Sequence, residues 1–182
     1  LMELEQLKDP DLQKYRFYEY GGIYKEGVKS TDWGEWSAKN VVPETEVKEH
    51  IKKSLSVVEE ICRICEENDI NLILFTTPLY VGPYLDGLEQ GHLIYIREIA
   101  KIHDIYSFSS INSINTNTLN YWEQTHYDKN VGDLVLKRIY HESEFDKTLI
   151  EEGFGVLVTE KNADEHYKFL MDQFKRIQGA EE

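Results

Sequence analysis

Apolar residues between positions 47 and 65 recur at the spacing of a helix. The intervals between them are four, four, three, four and three residues, in the order Val47, Ile51, Leu55, Val58, Cys62 and Cys65. This periodicity predicts one buried stripe on a helix. Pro43, followed by Glu44 and Glu46, favours a helix start, and Asn68-Asp69 predicts its end after about Glu67.

Short apolar runs alternate with further helical patterns along the rest of the chain. The run INLILFT at 70–76 predicts a strand buried on both faces. Further predicted strands are 105–108 and 154–158; further predicted helices are 83–103, 131–140, 144–152 and a last one N-capped by Thr159. This alternation predicts an α/β fold with a parallel sheet flanked by helices.

Three segments differ in composition. Residues 1–43 are rich in glycine and aromatic residues, which predicts short strands, turns and loops, with Trp33 and Trp36 either packing or stacking on sugars or bases. Residues 44–178 are expected to form the α/β domain, and 179–182 a tail. Within that domain, the polar stretch 109–130 is predicted to lie on the surface or to line a site.

Charge narrows the classes of partner. The 182 residues include 34 acidic and 20 basic side chains, for a net charge of −14. Nucleic acids and anionic membrane surfaces are therefore not expected as partners. No apolar stretch is long enough to span a bilayer, and no signal peptide is visible. The first residue is Leu, so that absence says little about the parent protein, and the compartment stays open.

Two cysteines, Cys62 and Cys65, are separated by two residues late in the first predicted helix. A redox pair of this spacing is expected at the start of a helix that follows a strand. We therefore predict two reduced, partly buried thiols. No cluster has the spacing of a metal site, and neither a metal nor a cofactor is expected.

Histidine is the residue type that points most directly to chemistry here. His126 lies in the polar stretch beside Tyr121, Trp122 and Tyr127, unlike a histidine of a hydrophobic core. The other histidines fall on predicted helices or at their ends. Among them, His166 lies beside a glutamate and is predicted to be on a solvated helix face.

Four segments in order carry a resemblance to a known family: LFTTPLY, SFSSINSI, YWEQTHYDKNVGDLVLKRIY and FGVLVTEKNADEHYKFL. Together they resemble the C-terminal half of SGNH-hydrolase-like proteins, and most closely the bacterial members of poorly defined activity, some of which are linked to cell-surface polysaccharides. The resemblance spans about residues 44–177. It implies a flavodoxin-like three-layer α/β fold that lacks its early strands.

The resemblance also implies a chemistry. His126 matches the general base of the family, and Glu123 matches the aspartate that orients it. The nucleophilic serine of the family lies in a Gly-Asp-Ser block that this sequence does not contain, so it is expected upstream of Leu1 or not at all. The implied activity is that of an ester hydrolase or O-acyltransferase acting on a glycan, in a parent that is extracytoplasmic or associated with the cell envelope. These 182 residues alone are expected to be inactive.

Other residues are candidates for the wall of a substrate pocket. They are Thr77, Tyr80, Asn112, Trp122 and Tyr127. Thr77 and Tyr80 follow the 70–76 strand, where ligands bind in parallel sheets, although an ordinary loop is the simpler interpretation. A different hypothesis is a non-catalytic binding or scaffolding module. A homo-oligomer is also expected, because a truncated sheet exposes an edge strand.

Overall fold

The computed structural model describes residues 47–88 and 91–177 with their side chains, and the backbone of 15–17, 23–25 and 178. Strands β1 (Tyr15–Phe17) and β2 (Ile23–Lys25) form an antiparallel pair in which Tyr15 faces Lys25. Short strands were predicted in this segment, and these two agree. Trp33 and Trp36, and the predicted tail, lie outside the described residues.

The central sheet of the described domain has three strands, β3 (Leu74–Phe75), β4 (Ile105–Ser107) and β7 (Val156–Val158), in the order β3-β4-β7. β3 and β4 are parallel, as predicted. β7 is antiparallel to β4, with Val156 facing Ser107 and the amide of Gly155 donating to the Ser107 carbonyl. The chain thus re-enters the sheet at the carboxyl end of β4. The α/β class is confirmed, but the sheet is mixed rather than wholly parallel.

The prediction that residues 70–76 form a strand buried on both faces is wrong. β3 has only two residues; Leu74 is half-buried and Phe75 is 45% exposed. In the described part of the chain, β3 pairs with β4 alone, so it forms an edge of the three-stranded sheet. An edge strand keeps one side open, which explains the exposure of Phe75.

Helix α1 (Glu49–Glu67) carries the predicted stripe from Ile51 onward, whereas Val47, the first residue of the predicted stripe, precedes the helix. Ile51 is buried, and Leu55, Val58 and both cysteines are half-buried, with free thiols as predicted. Lys48 has an extended backbone, so the helix begins later than Pro43, which lies outside the described residues.

The predicted stop at Asn68-Asp69 is confirmed. The amides of Asp69 and Ile70 donate to the carbonyls of Glu66 and Cys65, and Asp69 takes a left-handed φ of 54°. These two bonds form a Schellman motif.

One predicted helix is in fact two. α2 (Val81–Leu88) and α3 (His92–Ile102) replace the single helix expected at 83–103. Gly91, with a φ of 89°, precedes α3 and is the kind of residue that tolerates such a break. The residues predicted to face inward are all buried, in the order Leu85, Leu88, Leu93, Ile96, Ile99 and Ala100.

The remaining helices are α4 (Lys129–Tyr140), the short α5 (Thr148–Glu151) and α6 (Ala163–Gln178), with 3-10 turns at Thr118–Asn120 and Glu142–Glu144. α6 starts after Asn162, so the predicted N-cap Thr159 lies too early. Leu170 and Phe174 of α6 are buried as predicted. Helix α3 lies between α1 and α6, and its isoleucines pack with Leu55, Val58 and Val158.

Candidate functional site

A small hairpin carries the two candidate catalytic residues. β5 (Tyr121–Glu123) and β6 (His126–Tyr127) are joined by the two residues Gln124 and Thr125. In this antiparallel pair Glu123 lies directly opposite His126, and Tyr121 lies opposite Tyr127. Directly opposed residues have neighbouring side chains on one face of the strand pair. The hairpin register therefore places Glu123 beside His126.

The two side chains are in contact. Nδ1 of His126 is hydrogen-bonded to Oε1 of Glu123, and Oγ1 of Thr125 donates to the same carboxylate oxygen over 2.7 Å. When Nδ1 of a neutral imidazole donates, Nε2 remains as the acceptor. The arrangement can therefore hold His126 in the tautomer that a general base requires.

Glu123 is held as a carboxylate. Partial burial opposes its ionisation, but the hydrogen bonds from Thr125 and His126 outweigh burial and keep the pKa of Glu123 below its ordinary value. About half of each side chain of the pair is exposed to solvent. Such a pair contributes little to stability, about 0–1 kcal/mol, so its geometry serves orientation more than folding.

The hairpin lies against the segment that follows β3. The amide of Tyr80 donates to the Gln124 carbonyl over 3.2 Å, and the rings of Tyr80 and Tyr121 meet edge to face at 5.7 Å. The turn between Glu123 and His126 is thus anchored to the chain that leaves the carboxyl end of a parallel strand. In α/β sheets this is the end where ligands bind.

The loop after β4 also contacts the hairpin, and much of this loop is buried. Asn115 is fully buried; its amide donates to the carbonyls of Phe108 and Ser110 at 2.8 and 3.1 Å, and it accepts from the Tyr121 hydroxyl at 2.9 Å. Ser109 is also fully buried, and its hydroxyl donates to the Thr77 carbonyl. Sequence reasoning assigned this polar stretch to the surface or to a site, so its role as a hydrogen-bonded core was missed.

The predicted pocket residues divide into two groups. Tyr80 is buried and Tyr127 is half-buried, and both belong to the apolar cluster around Tyr121. Trp122 is half-buried within β5, next to Glu123. Thr77 is exposed beyond β3. On the hairpin, Trp122 is the neighbour of Glu123 in sequence and Tyr127 is the neighbour of His126.

The side-chain amide of Asn112, another predicted pocket residue, forms its hydrogen bonds within its own loop. Its side-chain oxygen Oδ1 accepts from the backbone amides of Ile114 and Asn115, and its side-chain nitrogen Nδ2 donates to the Ser110 hydroxyl over 2.7 Å. These bonds give Asn112 the role of a turn-forming residue.

His166 was misjudged from the sequence. It was predicted to lie on a solvated face of α6, but it is only 6% exposed. The spacing held the signal, because His166 lies three residues after the buried Ala163 and four before the buried Leu170. Burial lowers the pKa of His166 to about 4, and the pKa of His92 in α3 likewise.

Residues 47–88 and 91–177 contain no group of three or more His, Cys, Asp or Glu side chains placed to hold a metal ion. None of the helices in the described ranges is both long and apolar enough to cross a membrane.

The hairpin, the segment after β3 and the buried loop after β4 form one unit around Glu123 and His126. Compared with known proteins, the chain matches no protein-family model, no curated sequence and no solved structure.

Proposed function

We propose that His126 is the general base, and Glu123 its orienting carboxylate, of an ester hydrolase or O-acyltransferase acting on a glycan. The observation that carries this proposal is the contact between Glu123 Oε1 and His126 Nδ1 on the hairpin. The resemblance to SGNH-hydrolase-like proteins supports the same two roles.

The chemistry uses Nε2 of His126, the ring nitrogen other than the one bonded to Glu123. Nε2 removes the proton of a serine hydroxyl, and the oxygen attacks the ester carbonyl of the glycan substituent. The sugar alkoxide leaves with the proton from His126, and an acyl-serine remains. Water, or the hydroxyl of a second sugar, then releases the acyl group. Glu123 stabilises the imidazolium that forms in each step.

The serine nucleophile is assigned to no described residue. The hydroxyls of Ser109 and Ser110, near the carboxyl end of β4, are buried and donate to backbone carbonyls. Ser54 and Ser56 donate to carbonyls of α1. Ser107 is also fully buried, and Ser113 and Ser143 are exposed. This proposal follows the resemblance and takes the nucleophile to lie elsewhere in the parent protein.

The test measures hydrolysis of p-nitrophenyl acetate and of an acetylated polysaccharide by the natural full-length protein. His126→Ala is expected to lower kcat/KM by about 10²–10⁴-fold, the usual contribution of a general base. His141→Ala is the matched control, because His141 is exposed beyond α4. Glu123→Gln should lower the rate by about tenfold or more, with little further loss in the His126→Ala background, because it acts through His126.

The competing function is a non-catalytic binding or scaffolding module. The burial of the serine hydroxyls near the end of β4 favours it. Equal esterase rates for the parent protein and its His126→Ala variant would reject the catalytic proposal and leave this one.

A further inference from the structure

A second apolar stripe runs along α1, on a side that is open to solvent. Val57, Ile61 and Ile64 form it; all three are exposed, and the intervals between them are four and three residues. At about 100° per residue, this stripe lies roughly 110° around the helix from the half-buried stripe that contains Leu55 and Val58. The outer side of a surface helix usually carries polar residues, so an apolar stripe there indicates an interaction surface. We call this surface the α1 face.

The α1 face has the spacing of a seam between two helices. Ser54 and Asn68 extend it at both ends, and from Ser54 to Asn68 the intervals alternate between three and four residues, as at the a and d positions of a heptad. The Ser54 hydroxyl donates to the His50 carbonyl over 3.1 Å. Nδ2 of Asn68 donates to the Ile64 carbonyl over 2.8 Å. A second helix can therefore cover the seam without leaving these two donors unpaired.

The charges beside the α1 face differ between its two ends. Lys53, Glu60 and Glu67 are spaced by seven residues and flank the seam on one side. Lys53 is exposed, and among the described residues no ion pair includes it. Glu60 and Glu67 both pair with Arg63, at 2.5 and 2.6 Å, so one guanidinium offsets two carboxylates. This flank is therefore positive toward the start of α1 and negative toward its end.

A second copy of α1 is complementary to this flank when the two helices run antiparallel. With a two-fold axis near Glu60, Lys53 of each copy lies beside Glu67 of the other, because both residues are seven positions from Glu60. The same register places Val57 of one copy opposite Ile64 of the other. A parallel pair would instead bring Lys53 against Lys53 and Glu67 against Glu67, which is repulsive. Charge thus favours one orientation.

We propose that the α1 face binds the α1 face of a second copy of this chain, with the two helices antiparallel. Self-association is thereby assigned to α1 rather than to the open edge of β3. The net charge of −14 opposes it, although the Debye length of about 8 Å in physiological salt limits that repulsion to short range. With so few apolar side chains in the interface, the dimer is weak, with a Kd of about 100 µM.

Sedimentation equilibrium of the full-length protein tests the apolar part of the proposal. Between about 10 and 500 µM, the average mass should rise from that of a monomer toward twice that value. Ile61→Gln should weaken self-association by about tenfold or more, because each copy loses buried apolar area. Leu136→Gln on α4 is the matched control, because Leu136 is 42% exposed and Ile61 is 43% exposed. This control should leave Kd unchanged.

Charge reversal tests the orientation of the two helices. Lys53→Glu and Glu67→Lys should each weaken self-association by about tenfold, because the two-fold axis turns two attractive pairs into two repulsive pairs. An equimolar mixture of the two variants should associate as the unaltered protein does, because each variant supplies the charge that the other lacks. In a parallel pair, neither variant alone would be weakened.

Three results would overturn the proposal. The first is a monomer at the highest concentration, which would leave the α1 face to another protein or to another segment of this chain. The second is an equal effect of Ile61→Gln and Leu136→Gln. The third is self-association that Phe75→Lys abolishes and Ile61→Gln does not, which would place the interface at the edge of β3. None of these results bears on His126, so this proposal and the esterase proposal fail separately.

Discussion

Helix α1 and the loop after β4 reverse the usual distribution of apolar and polar side chains. On α1, Val57, Ile61 and Ile64 are 59%, 43% and 44% exposed. In the loop, Ser109, Ser110 and Asn115 are fully buried. The loop can bury polar groups because each finds a hydrogen-bond partner, whereas α1 has one side packed on α3 and another open to solvent. Partner groups, more than residue type, decide which polar segment can be buried.

The largest effect is expected from breaking the buried polar network. Asn115→Ala removes bonds to the Phe108 carbonyl, the Ser110 carbonyl and the Tyr121 hydroxyl. At about 1–3 kcal/mol for each buried group left unpaired, the free energy of unfolding should fall by about 4 kcal/mol. Urea denaturation measures this change.

The control is Asn117→Ala in the same loop. Asn117 is exposed, and its side-chain oxygen accepts from the Leu119 amide, so loss of this side chain should cost less than about 1 kcal/mol. Similar costs at positions 115 and 117 would contradict a core role for the loop.

The second largest effect is expected on the pH dependence of the free energy of unfolding, because two histidines are buried. The folded-state pKa values of His92 and His166 are lowered to about 4 by burial, below the usual value near 6.5. The unfolded chain therefore binds more protons than the folded chain between these values. Stability is retained above pH 6.5 and falls as the pH decreases toward 4, by about 2 kcal/mol for each histidine at pH 5.

Thermal denaturation between pH 7 and pH 5 checks this prediction. His166→Phe should reduce the loss, whereas His141→Ala, at an exposed position, should not. A stability that is constant from pH 7 to pH 5 would show that neither ring is buried in the neutral form.

The third effect is an increase in the free energy of unfolding from a substitution at the end of α1. Asp69 has a left-handed φ of 54°, which glycine adopts without strain. Asp69→Gly should therefore raise the free energy of unfolding by about 0.5–1 kcal/mol, and Asp69→Ala should not raise it. Equal stability of the glycine and alanine variants in urea would argue against the Schellman motif.

The smallest effect is expected on the exposed face of α1. Ile61→Gln should change stability by less than about 0.5 kcal/mol, because the side chain loses little buried area. Leu55→Ala, on the half-buried stripe of the same helix, should cost about 1–2 kcal/mol. A loss for Ile61→Gln as large as that for Leu55→Ala would mean that Ile61 is covered in solution.

The sequence predicted helices better than it predicted the sheet. The stripe from Ile51 to Cys65 was correct because helical periodicity is a local property, and the stop at Asp69 was correct for the same reason. The direction of β7 was missed because strand pairing depends on contacts with residues about fifty positions earlier. The break at Gly91 was missed although the sequence held a signal for it, because the interval of five residues from Leu88 to Leu93 departs from helical spacing.

The sequence named the two residues of the candidate site but did not predict the strand pairing that brings them into contact. The sequence placed Glu123 and His126 together only through a resemblance. The structure brings them together through strand pairing, which a three-residue separation in sequence does not reveal. Asn115 joins the loop to Tyr121, and this role was missed. Its three bonds reach groups five to seven residues away, in a loop of no regular pattern.

The two-residue turn of the hairpin also restricts where insertions and deletions can fall. The ladder is already irregular between Tyr121 and Glu123, where β5 has one residue more than the facing part of β6. Successive residues of a strand point to opposite sides, so a further residue within β5 or β6 would turn one member of the Glu123–His126 pair away. A longer turn between Gln124 and Thr125 can still close the same pair, because hairpin loops of two to five residues are common. Homologous chains that keep the Glu123–His126 contact should therefore differ in length at the turn rather than within the two strands.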